Sequence, residues 1–295
     1  MAATKYGNLL KKLKYEASEV KSKAGAAEYM TMAGGVDLEG INLSFAWGYR
    51  HWLGGWGSDG GFGHTHPYGE CLLFTGLEYA RPDYLGAEIE LALGSEKHLI
   101  DSPAIVVLPA GVPHCPLTSK KVARPFGFLA VSLSGEHKIA KSPRAGKPEQ
   151  SDIKTGELVQ KMELRDTKRK SGGNADFISW WNGKDREGFN LNFTWAFHTG
   201  LGAWHDRDPH VHPNDECLVF MGLDPGRPDY LGAELEIAMG KDPEIHVFDT
   251  PTAVVIPAGL VHCPLVTSRV DKPYGFSAIS LNTAHETTWL GKASS

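Results

Sequence analysis

The segment His64–Gly94 reads HTHPYGECLLFTGLEYARPDYLGAEIELALG, and it returns 146 residues later, at His210–Gly240, as HVHPNDECLVFMGLDPGRPDYLGAELEIAMG. Twenty of these 31 positions are identical without a gap. Self-similarity over a segment of this length is typical of a duplicated structural unit. The chain is therefore predicted to contain two copies of one domain.

Three further blocks extend the repeat, and in all three the second member follows the first by 148 residues. They are Glu39–Trp47 with Glu187–Trp195, Asp101–Leu117 with Asp249–Leu265, and Arg124–Leu133 with Lys272–Leu281. The predicted organisation is a leader at 1–28, a first domain at 29–135, a linker at 136–172 and a second domain at 173–295.

Each copy has the residue pattern of β-strands. Apolar and polar residues alternate in FNLNFTWAF at 189–197, whereas Ala104–Leu108 and Ala253–Ile256 are continuous apolar runs, as in strands covered on both faces. The 34 glycines and 18 prolines lie between such runs and indicate turns. The predicted fold class is all-β, with two tandem small barrels or jelly rolls.

The leader and the linker both carry an excess of basic residues. We interpret them as a solvated tail and a solvated linker, and the alternative is that they lie on the more acidic barrels. Within the leader, Leu9, Leu10 and Leu13 could share one face of a short N-terminal helix.

Composition excludes several classes of protein. Thirty basic against 35 acidic residues give a formal charge of −5, which argues against a dedicated nucleic-acid binder. No apolar run is long enough for a membrane-spanning helix, and the leader lacks the apolar core of a signal peptide. The expected location is the cytoplasm, with no membrane partner.

The four cysteines are too few for a disulfide scaffold and are expected to be reduced. Each follows a candidate ligand directly, and neighbours on a strand point to opposite faces. We therefore expect the thiols to lie outside the barrel lumen, with sulfur ligation or a redox pair as the alternative. The cysteines are Cys71, Cys115, Cys217 and Cys263.

Each copy also contains a His-x-His-x3-Glu segment and, later, a Pro-x-Gly-x2-His segment. Residues two apart on a strand face the same side, so these side chains can point together into a barrel. Three imidazoles and a carboxylate suit a borderline or harder divalent ion. The candidate ligands are His64, His66, Glu70 and His114 in the first copy, and His210, His212, Glu216 and His262 in the second.

These paired motifs resemble the signatures of the cupin superfamily, and their duplication makes the chain similar to a bicupin. The resemblance covers both copies and implies two cupin-type barrels, of the double-stranded β-helix or jelly-roll type, with one metal at each set of four ligands. The residues that flank the motifs depart from the usual pattern at six positions, none of which is a candidate ligand. The departures are Gly76 and Gly222, Pro103 and Pro251, and Thr118 and Val266.

The expected cofactor is a divalent transition metal, with up to two ions per chain. Iron or manganese is favoured, and nickel, cobalt, copper and zinc stay open. Glu70 is also a candidate catalytic residue, together with Arg50 and His51, which precede the first ligand motif and could clamp an anion or shuttle a proton. Because the second copy offers only His198 there, we expect the first site to be the more active one.

Aromatic residues near these positions could line a pocket for a flat or ring-shaped substrate, or could be ordinary core. They are Trp47, Trp52, Trp56, Trp195 and Trp204.

The resemblance implies dioxygenases that cleave diketones or polyphenols, and decarboxylases of small acids. We expect a metal-dependent enzyme that acts on a small oxygen-rich substrate, such as a diketone, a polyphenol or a keto acid, and we favour a dioxygenase-like oxidoreductase. One alternative is a redox-neutral isomerase, hydrolase or lyase of a keto acid or keto sugar. The other is a non-catalytic binding or storage bicupin.

The expected partners are a small-molecule substrate and further copies of the chain. If the polar residues Asn42, Ser44, Asn190 and Asn192 face the cavities, the apolar residues between them must pack outward, either between the two copies or between chains. These are Ile41, Leu43, Phe45 and Trp47 in the first copy, and Phe189, Leu191, Phe193 and Trp195 in the second. A homodimer or higher homo-oligomer follows as a prediction.

The motif RPDYLGAE occurs in both copies, at Arg81–Glu88 and at Arg227–Glu234. It is predicted to be a shaped loop with a structural role, and gating of the cavity is the alternative.

Overall fold

The computed structural model contains almost only strands and turns. It describes residues 4–17, 29–56, 63–138, 154–168, 174–185, 189–205 and 208–291. Three short 3-10 helices occur, at Gly7–Leu9, Thr155–Leu158 and Gly183–Asp185. Among the described residues, no helix is long and apolar enough to cross a membrane. The all-β prediction is confirmed.

The strands follow one another with few interruptions. In chain order they are β1 (Leu10–Lys12), β2 (Glu16–Ala17), β3 (Tyr29–Ala33), β4 (Ser44–Arg50), β5 (Gly54–Gly55), β6 (Glu70–Gly76), β7 (Ala87–Leu93), β8 (Glu96–Ile100), β9 (Ala104–Leu108), β10 (His114–Val122), β11 (Phe126–Ser132), β12 (Val159–Lys161), β13 (Arg165–Asp166), β14 (Ala175–Asn182), β15 (Asn192–His198), β16 (Gly202–Ala203), β17 (His210–Val211), β18 (Glu216–Gly222), β19 (Ala233–Met239), β20 (Glu244–Phe248), β21 (Thr252–Ile256), β22 (His262–Val270), β23 (Tyr274–Ser280) and β24 (Thr288–Trp289).

These strands form two compact units. We call the described residues within 15–35 and 42–163 the first barrel, and those within 1–14, 36–41 and 164–295 the second barrel. The predicted domain limits of 29–135 and 173–295 stay predictions of where each copy begins and ends.

Each barrel consists of two antiparallel sheets. In the first barrel the strand orders are β12-β9-β6-β11-β4-β3-β2 and β5-β10-β7-β8. In the second they are β1-β21-β18-β23-β15-β14-β13 and β20-β19-β22-β17-β24, with β16 paired to β22. Equivalent strands of the two copies therefore occupy equivalent places, as the repeat predicts.

The prediction of a helix over Leu9, Leu10 and Leu13 is wrong. A single 3-10 turn ends at Leu9, and the chain continues as β1, which pairs with β21. Leu9 and Leu13 are buried there. Without β1, the apolar strand β21 would expose an unpaired edge, which is a costly feature of a sheet.

The linker contributes to the first barrel in the same way. Its strand β12 pairs with β9, with Val159 opposite Val106. The described parts of both basic segments therefore include sheet strands, and their interpretation as a solvated tail and a solvated linker is wrong for those parts.

The apolar faces predicted to pack outward are buried within the single chain. Phe45 and Trp47 in β4, and Phe193 and Trp195 in β15, are almost completely inaccessible to solvent. Their burial needs no second chain, so the residues that suggested an oligomer do not support it, and oligomerisation stays a prediction.

Candidate metal centres

The four candidate ligands of the first barrel meet at one end of its seven-stranded sheet. The rings of His64, His66 and His114 have centroids 4.4 to 5.0 Å apart. Glu70, the first residue of β6, places Oε2 3.2 Å from Nε2 of His114 and 3.6 Å from Nε2 of His66. These four side chains therefore lie close together, and their role as metal ligands stays a prediction.

The second barrel repeats this arrangement. The ring centroids of His210, His212 and His262 lie 4.3 to 5.1 Å apart. Oε2 of Glu216 lies 3.4 Å from Nε2 of His212 and 3.8 Å from Nε2 of His262. Both copies therefore gather the same four residue types, with the carboxylate close to two of the three imidazoles in each.

Hydrogen bonds orient the imidazoles toward these clusters. Because a backbone carbonyl only accepts, an Nδ1 that bonds to one carries the proton and leaves the Nε2 lone pair free for a metal. Four histidines make such bonds: His66 to Lys138 O (2.7 Å), His114 to Val112 O (2.9 Å), His212 to Glu286 O (2.8 Å) and His262 to Leu260 O (3.0 Å).

The donor atoms fit a divalent ion. Nε2 of His66 and Nε2 of His114 are buried and make no hydrogen bond within the described part of the chain. Ligands about 2.1 Å from a common ion are themselves roughly 3.0 to 3.4 Å apart, close to the 3.2 to 3.8 Å found between the carboxylate and imidazole atoms.

Serine side chains hold the two carboxylates. Ser132 donates to Oε1 of Glu70 at 3.3 Å, and Ser280 donates to Oε1 of Glu216 at 2.7 Å. In both cases Oε2 is the oxygen that faces the imidazoles. The sheet register places Ser44 beside Ser132, and Asn192 beside Ser280, so the predicted polar residues Ser44 and Asn192 share the face of the carboxylates.

Burial and charge keep these groups in the states that metal binding requires. Burial raises the pKa of both glutamates, but the imidazoles, chiefly His114 for Glu70 and His212 for Glu216, lower it below the usual value. Burial, followed by a neighbouring imidazole, lowers the pKa of His64 and of His262 to about 4. At neutral pH the carboxylates are ionised and these two histidines are neutral.

In the second copy a carboxylate lies behind a candidate ligand histidine. Nδ1 of His210 donates to Oδ1 of Asp208 at 3.0 Å. The residue 146 positions earlier in the sequence is Phe62, which has no side-chain acceptor. The two copies therefore differ in sequence at this position, where the second has an acceptor for its first histidine.

Sequence reasoning missed one histidine near each cluster. The ring centroid of His137 lies 5.0 Å from that of His66, and the centroid of His285 lies 4.8 Å from that of His212. The two are 148 residues apart, directly after the last repeated block. Extending that block by four residues would have found them.

Comparisons with known proteins bear on the fold of the chain. No family model and no curated protein matches the chain. Solved structures of oxalate decarboxylase do match it. A tryptophan-to-tyrosine variant from Bacillus subtilis has a TM-score of 0.61 at 10% identity, and the match covers 94% of this chain and 78% of that one. The chain has the bicupin fold.

Two further structures give the same result. One is from work on a structural element that modulates proton-coupled electron transfer in oxalate decarboxylase. Its match to this chain has a TM-score of 0.62 at 11% identity and covers 94% of this chain and 78% of that one. Another concerns the Mn(II) centres of the Bacillus subtilis enzyme, with a TM-score of 0.61, 11% identity and the same coverage. At this identity the likeness establishes the fold alone, and it agrees with the cupin resemblance of the motifs.

The bicupin fold does not bring Arg50 and His51 to the first cluster. Arg50 pairs with Phe126 at one end of the sheet, whereas Glu70 pairs with Ser132 at the other. Six residues along a strand correspond to about 20 Å. The guanidinium of Arg50 instead lies over the ring of Trp56, 4.5 Å from its centroid.

His198 occupies the place of Arg50 in the second barrel. Its ring stacks on Trp204 and on Tyr274, with centroids 4.1 and 5.2 Å away. Burial lowers the pKa of His198 to about 3. The residues that favoured the first site as the more active one are therefore parts of the aromatic core at the other end of the sheet.

The cysteines are all free, but they do not all face away from the clusters. Cys71 and Cys217 are fully buried, and burial raises the pKa of both thiols. Sγ of Cys263, by contrast, lies within 4.8 Å of ligand atoms of His210 and His262. The expectation that the thiols face away from the candidate ligands is therefore wrong for Cys263. This residue has a φ of +69°, and the register of β19 with β22 shifts beside it, so the alternation of side chains along the strand is broken there.

The RPDY motif forms the same self-contained turn in both barrels. The guanidinium of Arg81 lies 3.5 Å from the ring centroid of Tyr84, and that of Arg227 lies 3.8 Å from the centroid of Tyr230. In each turn the tyrosine N–H donates to the arginine carbonyl at 3.0 Å. These contacts agree with the structural role favoured for the motif.

Proposed function

We propose that the protein is a metal-dependent enzyme that acts on a small oxygen-rich carboxylic acid, with decarboxylation as the favoured reaction. The observation that carries the proposal is the clustering, in each barrel, of three imidazoles whose rings lie within about 5 Å of one another and one buried carboxylate that lies close to two of them. The hydrogen bonds from Nδ1 add support, because they leave Nε2 free in the orientation a metal needs.

The ligands in this proposal are His64, His66, Glu70 and His114 in the first barrel, and His210, His212, Glu216 and His262 in the second. The metal would polarise a substrate oxygen and orient a substrate that binds through two adjacent oxygens. Manganese is the favoured ion, because this mixed set of nitrogen and oxygen donors suits it and because a structural neighbour has Mn(II) centres. Iron is the next candidate.

The chain itself supplies orientation and proton positions. Ser280 holds Oε1 of Glu216 and thereby keeps Oε2 toward the cluster. His285 lies beside the same carboxylate, with Nδ1 3.3 Å from Oγ of Ser280 and Nε2 3.3 Å from Oγ1 of Thr287. Its side chain is only partly buried, so it can hydrogen-bond to an acid that enters the second site.

The fold neighbours favour a lyase over the dioxygenase-like oxidoreductase expected from the sequence. The neighbours are decarboxylases by name, and decarboxylation of an acid was already part of the sequence expectation. Oxygen uptake separates the two classes, because a dioxygenase consumes oxygen with every turnover and a redox-neutral decarboxylase does not.

The test is to purify the protein without added metal, measure its metal content, and then measure CO2 release from oxalate, pyruvate and phenylglyoxylate in air and under nitrogen. We expect CO2 release that requires metal and that Glu70→Gln combined with Glu216→Gln abolishes. Asp229→Asn, which changes an exposed carboxylate of the second barrel, is the control and should keep the activity.

Two outcomes would contradict this proposal. Stoichiometric metal with oxygen uptake and no activity under nitrogen would identify a dioxygenase. Metal-free protein that releases no CO2 after metal is added would favour the non-catalytic binding or storage bicupin.

A further inference from the structure

Two exposed tryptophans lie beside the candidate metal centre of the second barrel. Trp289 is 38% exposed, and its ring centroid lies 4.7 Å from that of His210. Trp180 is 52% exposed, and its centroid lies 5.9 Å from that of His285, whose ring in turn contacts His212. Large aromatic side chains left exposed next to a cluster of polar groups mark a ligand-binding surface.

The backbone fixes the first of these indoles in place. Strand β24 pairs with β17, so that Trp289 stands opposite His210. The N–H of Leu290 donates to the carbonyl of Pro209 at 2.8 Å, which ties down the residue after the tryptophan. Trp289 is thus held against a ligand histidine by the sheet itself.

The first copy has no aromatic residue at either position. The residues 148 positions before Trp180 and Trp289 are Met32 and Lys141. Since the first barrel forms the same fold with Met32 on β3, the fold does not require an aromatic side chain there. The tryptophans are therefore available for a role that only the second barrel has.

The two copies also differ in the ring that stacks on their second candidate ligand histidine. In the first barrel the ring of Tyr68 stacks on His66, with a centroid distance of 5.2 Å and an interplanar angle of 11°. The equivalent residue of the second copy is Asn214. Among the described residues, no ring stacks parallel on His212, and the neighbouring rings of His262 and His285 are tilted from it by 49°.

We propose that the second site binds a carboxylic acid that carries a planar ring, with the acid oxygens at the ligand cluster and the ring against Trp289 and Trp180. This inference rests on the proposed function and adds the substrate class to it. Rings attract one another at centroid separations of 4.5 to 7 Å, in offset-stacked or edge-to-face geometry, so exposed indoles next to the ligands select for a ring.

The test compares phenylglyoxylate with pyruvate, which carries the same pair of acid oxygens and a methyl group in place of the ring. Binding of each acid to the metal-loaded protein is measured by calorimetry. We expect phenylglyoxylate to bind roughly tenfold more tightly. Trp289→Leu and Trp180→Leu should each reduce this preference and leave pyruvate binding unchanged, whereas Trp289→Phe should keep most of it.

Met32→Leu is the matched control, because it changes the residue of the first copy that corresponds to Trp180, and it should alter neither affinity. Thermal unfolding and light scattering are recorded for every variant. Equal affinity for the two acids overturns the inference and leaves the proposed function intact. If neither acid binds to the metal-loaded protein, the inference and the proposed function are both overturned. A tryptophan variant that changes the oligomeric state and not the ring preference also overturns it, because the surface is then an interface between copies.

Discussion

Asp208 accepts a hydrogen bond from Nδ1 of His210 at 3.0 Å, and both side chains are nearly inaccessible, at 5% and 6% exposure. Oδ2 of Asp208 is buried and has no hydrogen-bond partner among the described residues, so the histidine is the partner the structure gives this carboxylate. A carboxylate in this position fixes the tautomer of a ligand histidine and raises its basicity. We therefore expect the second site to bind metal more tightly than the first.

Asp208→Asn tests this difference between the sites. The change removes the negative charge while keeping the size of the side chain, and losses of about 10- to 100-fold in metal affinity are typical for such a partner. The affinity of each site is measured by titration against a chelator that competes for the metal. Asp242→Asn, at an exposed position of the same barrel, should have no effect. Unchanged affinity in the Asp208 variant would show that the negative charge of this carboxylate does not tune the site.

The sites are also expected to differ in turnover. Because Trp180 and Trp289 lie at the second cluster, Glu216→Gln should lower kcat more than Glu70→Gln does. Both variants are measured at saturating metal, with folding checked by thermal unfolding. A larger loss in the Glu70 variant would instead support the sequence expectation that the first site is the more active one.

Metal-free protein should lose stability as the pH falls from about 6.5 toward 4. The pKa of His64 and of His262 is lowered to about 4 in the folded chain, so in this range the unfolded chain binds protons that the folded chain does not. The loss of stability that these two histidines cause is absent above a pH of about 6.5 and is complete below a pH of about 4. Thermal unfolding across this range measures the effect.

His262→Gln removes one of these titrating groups and should make the dependence of Tm on pH shallower in the same window. A wild-type protein whose Tm is the same at pH 7 and pH 5 would contradict the prediction.

The N-terminal strand should stabilise the second barrel. Leu13 is 4% exposed, and its backbone N–H donates to the carbonyl of Pro251 at 2.9 Å. Leu13→Ala should lower the free energy of unfolding by about 2 to 4 kcal/mol, because it removes buried methyl groups and leaves a cavity. Leu53→Ala, at a residue that is 66% exposed, should change it by less than about 0.5 kcal/mol. Equal effects of the two changes would mean that Leu13, directly after β1, does not anchor this segment to the second barrel.

The sequence predicted the features that depend on local pattern. The duplication, the all-β class and the convergence of the ligands all follow from a repeat and from the two-residue period of strands. The pairing of β1 with β21 joins residues about 240 positions apart, and no local pattern encodes such a contact. Hence Leu9, Leu10 and Leu13 suggested a helix.

The wrong predictions for individual site residues have a similar physical cause. Arg50 and His51 are close to His64 in sequence. However, Arg50 lies at the end of β4 that is farthest from Glu70 in the antiparallel sheet. Cys263 was expected to face away from the ligands because strands alternate, and a local bulge breaks that alternation. His285 could have been found, since it lies at the same 148-residue offset as the repeated blocks.

The most direct test of the central claim is the metal content of four proteins after dialysis against metal-free buffer: the wild type, His66→Ala, His212→Ala and the double variant. The account predicts about two equivalents per chain in the wild type, about one in each single variant and none in the double variant, because losing one ligand of four weakens the hold on the ion. Two equivalents in either single variant, or none in the wild type after it has been supplied with manganese or iron, would contradict it.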